Sequence, residues 1–456
     1  MEINKVIVIG GGISGCLTAL LLARKGYEVK ILEKESSLGG LFTSFERENL
    51  TFDIGFHYSD SLRKDQFLYN KFIELDILKE DDIIYRNVID CVHIGGKSYF
   101  IGGGVENFRQ YLQNCFPHED KLSGFFKKIK EIYHTFNNNQ LSIDLISDTT
   151  SLGDVINSLF NSVELKILLR YVSLIYGEDS FEGQFNIHAI LLAGLLEGAS
   201  LIKGGTTKLV TNISKKLREL NVTIMTNSPV EKIHLDNNSE KLIGVTTDKG
   251  IYFEANNVIY TAHPYLLNNL FAYKSKNVKR LLKRINYKEN GGTAFICFFR
   301  NEVIIEQNHY FFDANNICEL VLLNDESQNP QPVISIIKSS WPEWEAVKGE
   351  KIKELSLKKY YEKMTLAKIA KYMPDLAHKI KLLDSASPLT FYNMTGSYEG
   401  SLLGLRHIAR EKGIATLLPF TQIKGLYLAG QSILYPGLVG CACTALAIEK
   451  LLENVS

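Results

Sequence analysis

Three glycines, one carboxylate and a histidine–tyrosine pair are the residues of this chain whose types and spacing point to chemistry. Gly10, Gly12 and Gly15 fall as G-x-G-x-x-G directly after an apolar run at residues 5–9 and open a helix-patterned segment at 16–25. A second strand-like run at 28–32 ends in Glu33. Strand, glycine turn, helix, strand and terminal carboxylate is the order of a βαβ unit that binds an adenine dinucleotide. Gly10 permits the tight turn, Gly12 lets backbone approach a pyrophosphate, and Gly15 lets the helix pack on the sheet. The first helical residues, Ile13 and Ser14, lie where free N–H groups and the positive end of the helix dipole meet an anion. Glu33 is placed to accept hydrogen bonds from both ribose hydroxyls, which favours an unphosphorylated ribose. The plain alternative is a glycine-rich turn without a ligand.

Other elements must position these groups. A chain of 456 residues is too long for one core and predicts two domains, or one interrupted by another. With 45% hydrophobic and 11% aromatic residues it has the material for a large core and a sizeable apolar cavity. Lys plus Arg and Asp plus Glu balance at 51 each, so no overall field draws it to nucleic acid or an anionic membrane. Seven cysteines without a C-x-x-C pair or a compact Cys/His cluster argue for free thiols in a reducing compartment and against a zinc site. The chain enters a strand almost at once, leaving no room for a signal peptide. The longest apolar stretch, residues 189–202, is shorter than the roughly 20 residues needed to span a bilayer. The expectation is a soluble, cytoplasmic protein with no metal.

Residues 99–108 mimic a second nucleotide loop, but Asn107 replaces the third glycine, and a strand followed by a capped helix is the better reading. Residues 105–175 are helical in pattern, with Phe125, Phe126, Ile129, Ile132 and Tyr133 at three- and four-residue spacing. A hairpin is predicted from 242–247 and 250–255 around Asp248-Lys249, followed by a core strand at 258–262. Aromatic and β-branched runs at 293–299, 310–313, 319–323 and 333–339 predict an antiparallel sheet, and 355–372 a helix stopped at Pro374. Residues 274–288 form a basic amphipathic pattern, with Lys279, Arg280, Lys283 and Arg284 interleaved with Val278, Leu281, Leu282 and Ile285. A solvated surface helix and a membrane-docking face both fit it.

Gly39-Gly40, then Thr43-Ser44 and Phe52-Asp53-Ile54-Gly55-Phe56-His57-Tyr58, resemble the FAD-binding two-domain flavoproteins that include amine oxidases, protoporphyrinogen oxidase and phytoene desaturase. F-D-x-G-x-H-Y, Tyr176-Gly177, Phe185, His188-Ala189, Glu197-Gly198-Ala199, Gly204-Gly205 and G-Q-x5-G-L-V-G at 430–440 are most similar to the retinol saturase and carotenoid isomerase branch. The resemblance implies an α/β fold in which a Rossmann-type FAD domain is paired with a mixed α+β substrate domain. The FAD domain is expected to be discontinuous, from 1–66, 203–264 and 415–456, with 67–202 and 265–414 forming the substrate domain. It implies FAD as cofactor, held by Gly10, Gly12, Ile13, Ser14, Gly15, Glu33, Lys34, Gly39, Gly40, Leu41, Thr43, the backbone of Val230, Gly430, Gln431, Gly437, Leu438, Val439 and Gly440. Leu41 is a departure, since many members carry arginine there.

The implied activity is redox chemistry on an extended apolar conjugated substrate such as a carotenoid, retinoid or polyene, by saturation, desaturation or isomerisation. FAD would carry the electrons. His57, which titrates near neutral pH, and Tyr58 are candidate proton donors at the flavin face, against a structural role as hydrogen-bonding residues. Tyr435 is a candidate for the substrate side. Expected partners are a lipophilic small molecule and, through the basic helix, a peripheral membrane surface. Two alternatives share the fold: an amine or protoporphyrinogen-type oxidase, and a flavin-free escort module resembling the Rab GDP-dissociation inhibitors.

Overall fold

The computed structural model describes residues 5–177, 181–236, 238–325, 327–409 and 417–453. The expected domain boundary at 414/415 lies outside the described residues.

The apolar run becomes β1 (Lys5–Ile9), four of its five residues buried, and the glycine turn leads into α1 (Ile13–Arg24) and back to β2 (Glu28–Leu32). β1 sits at the centre of a five-stranded parallel sheet, between β2 and Asn257–Tyr260; Thr223–Met225 and Leu426–Leu428 lie at the edges. Every pairing is parallel, so the sheet needs covered faces, and its strands are correspondingly rich in Val, Ile and Leu. The apolar helix α1 packs against the helices Gly205–Glu219 and Gly437–Glu453.

A seven-stranded sheet forms the second layer, in the order Ile380–Ala386, Ala294–Asn301, Gln331–Lys338, Cys318–Asn324, Asn308–Phe312, Val88–Ile94, Lys97–Gly102. The aromatic and β-branched runs form its strands as predicted. All neighbours are antiparallel except Asn308–Phe312 and Val88–Ile94, which run parallel. One face of this sheet joins the main core, and the other packs beneath Lys351–Tyr372 on Phe295, Phe299, Leu320 and Tyr361.

Residues 105–175 are mostly helical, as their periodicity predicts, and Phe125, Phe126, Ile129, Ile132 and Tyr133 are all buried. Residues 97–102 are a strand and 105–115 a helix, but the helix has no side-chain cap of its own. Its first amide, of Val105, donates instead to Glu197 Oε1 on a neighbouring helix, 3.3 Å away. The hairpin forms at Leu242–Thr247 and Tyr252–Glu254. The basic helix spans Lys276–Asn286 and buries Val278, Leu281, Leu282 and Ile285, leaving Lys276, Lys279, Arg280 and Lys283 exposed. No helix among the described residues is long and apolar enough to cross a membrane.

Candidate active site

One cavity of about 840 Å³ runs from the glycine turn after β1 to the seven-stranded sheet, within the roughly 300–1,000 Å³ of small-molecule sites. Gly10, Gly12, Ile13, Ser14, Glu33, Lys34, Gly39, Gly40, Leu41, His57, Tyr58, Val230, Gly430, Gln431, Gly437, Leu438 and Val439 all line it.

The glycines divide the work by position. Gly10 has φ +102°, and a Cβ there would lie 2.6 Å from Thr261 Oγ1, so the turn requires glycine. A Cβ on Gly15 would lie 2.0 Å from the Gly10 carbonyl oxygen, so Gly15 faces the turn and lies behind the lining. Gly12 differs: a Cβ there meets nothing nearer than 3.9 Å, and that open space faces the cavity. α1 begins without a side-chain cap or an acidic residue in its first turn, leaving its amides and dipole to whatever the cavity holds. Ser14 Oγ is buried with no hydrogen-bond partner among the described residues. An orphaned hydroxyl beside bare amides suits a pyrophosphate. Gly430 faces Ser14 from the other end of the chain, its Cβ position 3.8 Å from Ser14 Oγ. The helix Gly437–Glu453 also has no acidic residue in its first turn.

Glu33 is buried at the end of β2, where Oε2 accepts from Gly11 N–H at 2.5 Å and Oε1 from Glu35 N–H at 2.8 Å. Each carboxylate oxygen retains a second acceptor position for a ribose hydroxyl. The Glu33 carbonyl accepts from Ser228 N–H at 2.8 Å, which fixes the strand carrying Val230 beside it. Gly39 N–H donates to the Gly11 carbonyl at 2.8 Å, tying the second glycine pair to the first turn.

Four of the expected site residues stand behind the lining or away from it. Besides Gly15, Thr43 turns its hydroxyl to the Gly40 carbonyl at 3.2 Å and supports the turn. Gly440 is a packing position, where a Cβ would lie 1.6 Å from the Tyr435 carbonyl oxygen. Tyr435, expected on the substrate side, is buried among helices: its ring meets Phe136 edge-on at 5.4 Å and its hydroxyl donates to the Gln140 carbonyl at 3.0 Å. Gln431 reaches the lining, with its amide donating to the Leu402 carbonyl at 3.1 Å.

The sheet end of the cavity joins Tyr58, expected from the sequence, to groups that sequence reasoning missed. Tyr58 and Tyr310 line the cavity with their hydroxyls 2.8 Å apart. Behind them Asp90, fully buried, accepts from Tyr171 Oη at 2.9 Å, Asn308 Nδ2 at 2.9 Å and Tyr58 Oη at 3.4 Å. Burial pushes the Asp90 carboxyl up to about 6, against the pull of these donors. Burial and the Asp90 charge hold the Tyr58 hydroxyl protonated well beyond its ordinary range. No spacing signal links Tyr58, Asp90, Tyr171 and Tyr310, because strand pairing and helix packing assemble them. Asp60 also lines the cavity; its Oδ2 is buried without a partner among the described residues, and burial raises its pKa to about 7. Asp53, in the same motif as His57, faces elsewhere and accepts from Thr206 N–H (3.0 Å) and Oγ1 (2.7 Å), capping the helix Gly205–Glu219.

Burial lowers the His57 pKa to about 4, which favours the neutral ring at neutral pH. Among the described residues, Cys91, His93 and His309 bring one ligand atom each to within 4.8 Å of one another. The parallel pairing of two strands remote in sequence assembles them.

Residues 13–292 match the family described as flavin containing amine oxidoreductase. The chain belongs to that family. This flavin oxidoreductase is 25% identical to the all-trans-retinol 13,14-reductase of Danio rerio, an alignment covering 98% of this chain and 86% of the relative. It is 22% identical to a 4,4'-diaponeurosporene oxygenase of Staphylococcus haemolyticus, over 75% of this chain and 72% of that one. Its fold is similar to a crystal structure of an oxidoreductase from Methanosarcina mazei, with a TM-score of 0.70 at 16% identity, covering 98% of this chain and 100% of the other. The flavin oxidoreductase is thus an FAD-dependent enzyme of the two-layer α/β type. The bare α1 amides, the Ser14 hydroxyl and the Glu33 carboxylate are a donor and acceptor set that fits the pyrophosphate and ribose of FAD.

Proposed function

We propose that this flavin oxidoreductase acts on the carbon–carbon double bonds of an extended apolar, conjugated molecule of the retinoid or carotenoid class. The observation that carries the proposal is the composition of the sheet end of the cavity: beyond the dinucleotide glycines its walls are Val172, Leu191, Leu195, Val321, Leu323 and Ile336. A long hydrocarbon fits such walls. The relatives named for retinol and diaponeurosporene point to the same substrate class.

FAD, when bound, supplies or accepts the hydride or electron pair. The α1 amides, Ser14 and Glu33 hold its dinucleotide, and the apolar walls exclude water from the reacting bond. Saturation of a double bond adds one hydride and one proton, and desaturation removes both. The Tyr58 hydroxyl is the group on the cavity surface placed to give or take that proton. Its hydroxyl partner Tyr310 is placed to return the proton, and the Asp90 carboxyl behind them accepts from the Tyr58 hydroxyl and orients it. The basic face of Lys276–Asn286 is the candidate for peripheral membrane contact, with Tyr273 and Tyr287 exposed just outside its two ends.

The deciding experiment is anaerobic: the purified holoenzyme is photoreduced and mixed with all-trans-retinol or a linear carotene. Flavin reoxidation matched by loss of polyene absorbance supports the proposal. A reduced flavin that ignores every polyene but is formed rapidly from oxidised enzyme by amines would replace it with an amine oxidase.

A further inference from the structure

The two faces of the seven-stranded sheet carry different chemistry. Parallel pairing of Val88–Ile94 with Asn308–Phe312 sets Asp90 opposite Asn308, Cys91 opposite His309, Val92 opposite Tyr310 and His93 opposite Phe311. Side chains alternate along a strand. Asp90 and Tyr310 therefore point to the FAD cavity, while Cys91, His93 and His309 converge on the opposite face. His93 Nε2 lies 3.0 Å from His309 Nδ1, the two rings inclined by only 19°. The other nitrogen of His93 pairs with Ser98 Oγ at 2.9 Å, and Phe311 stacks on the His93 ring at 4.3 Å. Cys91 is buried, whereas His93 and His309 are only partly buried.

We propose that Cys91 Sγ, His93 Nε2 and His309 Nδ1 bind a zinc-class divalent cation on this outer face. Zinc–sulfur and zinc–nitrogen bonds are about 2.3 Å and about 2.0–2.1 Å long, and structural and catalytic zinc sites alike are built from such N/S donors. In a tetrahedron those lengths separate the donor atoms by roughly 3.3–3.7 Å. The cluster reaches that spacing when the two imidazoles swing slightly apart and toward the thiol, a movement their half-exposed rings permit. Ser98 fixes the His93 ring from behind, as the outer partner of a metal-bound histidine does. The fourth position takes water. On binding, one S–Zn and two N–Zn bonds form, the Cys91 proton leaves to solvent, and nothing is oxidised or reduced. The soft donor set excludes magnesium and calcium, which require oxygen ligands. The ion ties together two strands that are remote in sequence, one peptide unit away from Asp90 and Tyr310.

The test uses the full-length FAD-loaded protein in equilibrium dialysis against micromolar Zn²⁺, with bound metal counted by plasma mass spectrometry and affinity set by a chromophoric chelator. One equivalent is expected, with Cys91→Ser and His309→Asn each weakening binding at least tenfold. His134→Asn, at an exposed histidine elsewhere, should leave it unchanged. Flavin content and melting temperature report whether each variant folds. X-ray absorption on the zinc-loaded wild type needs no variant: one sulfur and two imidazole nitrogens around the metal are expected. A wild type that retains no zinc, variants that bind as well as wild type, or a metal spectrum without sulfur would each overturn the site and leave a hydrogen-bonded histidine pair.

Discussion

At one end of the FAD cavity the contacts are made by backbone, and at the other by side chains. Gly12 presents backbone and open space, and Gly10 and Gly39 hold the turns around it, so almost any neighbouring sequence serves provided the turn geometry is kept. Tyr58, Tyr310, Asp90 and the apolar wall work through their own chemistry, so each is a separate choice, supported by partners from other elements. The lesson is about what each end tolerates. The nucleotide end fails when something is added to it, and the sheet end fails when something is removed.

The largest effect expected from that contrast is at Gly12. A Cβ fits there, so Gly12→Asp folds, but its carboxylate occupies the space and the field meant for a pyrophosphate. Flavin affinity should fall more than a hundredfold, read as a colourless protein with an unchanged melting profile before FAD is added. Retained flavin would mean that the glycine turn is not the dinucleotide contact.

Removal at the sheet end should leave flavin content intact. Tyr58→Phe and Asp90→Asn are each expected to slow polyene turnover by roughly 100- to 10,000-fold, in line with the loss of general acid–base catalysis. If Asp90 acts through Tyr58, the double variant should be no slower than the worse single one. Additive losses would separate the two residues. His57→Ala, by contrast, should slow turnover only a few-fold, and the alkaline limb of the wild-type rate profile should survive it. The neutral ring has no proton to lose near pH 6.5, so disappearance of that limb would restore His57 as the acid.

Asp60 gives a smaller effect with a definite sign. Its carboxyl rises from an ordinary value near 3.8 to about 7 in the folded protein, so the native state holds a proton that the unfolded chain has released. Stability from this group is therefore lost as pH rises through that window. Asp60→Asn removes the charge that must otherwise be buried, so its melting temperature should gain on wild type by roughly 2–4 °C between pH 5 and pH 8. A constant difference across that range would show that Asp60 is solvated. The smallest expected change concerns the basic helix. Reversing Lys279, Arg280, Lys283 and Arg284 to Glu should reduce flotation with anionic liposomes and leave the flavin spectrum unaltered; equal flotation of both forms would discard membrane docking.

Much of the nucleotide end was legible in the sequence because its function rests on local order. Strand, turn, helix and carboxylate lie within some thirty residues of one another, and a glycine requirement appears directly as a glycine. The run at 293–339 declared a sheet through its aromatic and β-branched residues for the same reason. Asp53 sat in a quoted motif with no role until Thr206 was seen beside it, and Tyr435 looked like a substrate-side residue until the loop before the last helix turned it toward Phe136.

By itself the sequence determined the βαβ unit, the FAD family and the apolar character of the cavity, since these follow from periodicity and from backbone needs that only certain residues meet. The tertiary structure alone decided which titratable groups share an environment. A single parallel strand pairing, whose register no local pattern encodes, sets Asp90 opposite Asn308 and Cys91 opposite His309, and packing of other segments brings Tyr58 and Tyr171 to Asp90. The same burial that assembled those groups also set their protonation, lowering His57 and raising Asp60, because the cost of holding a charge depends on the solvent left around it rather than on the residue's name.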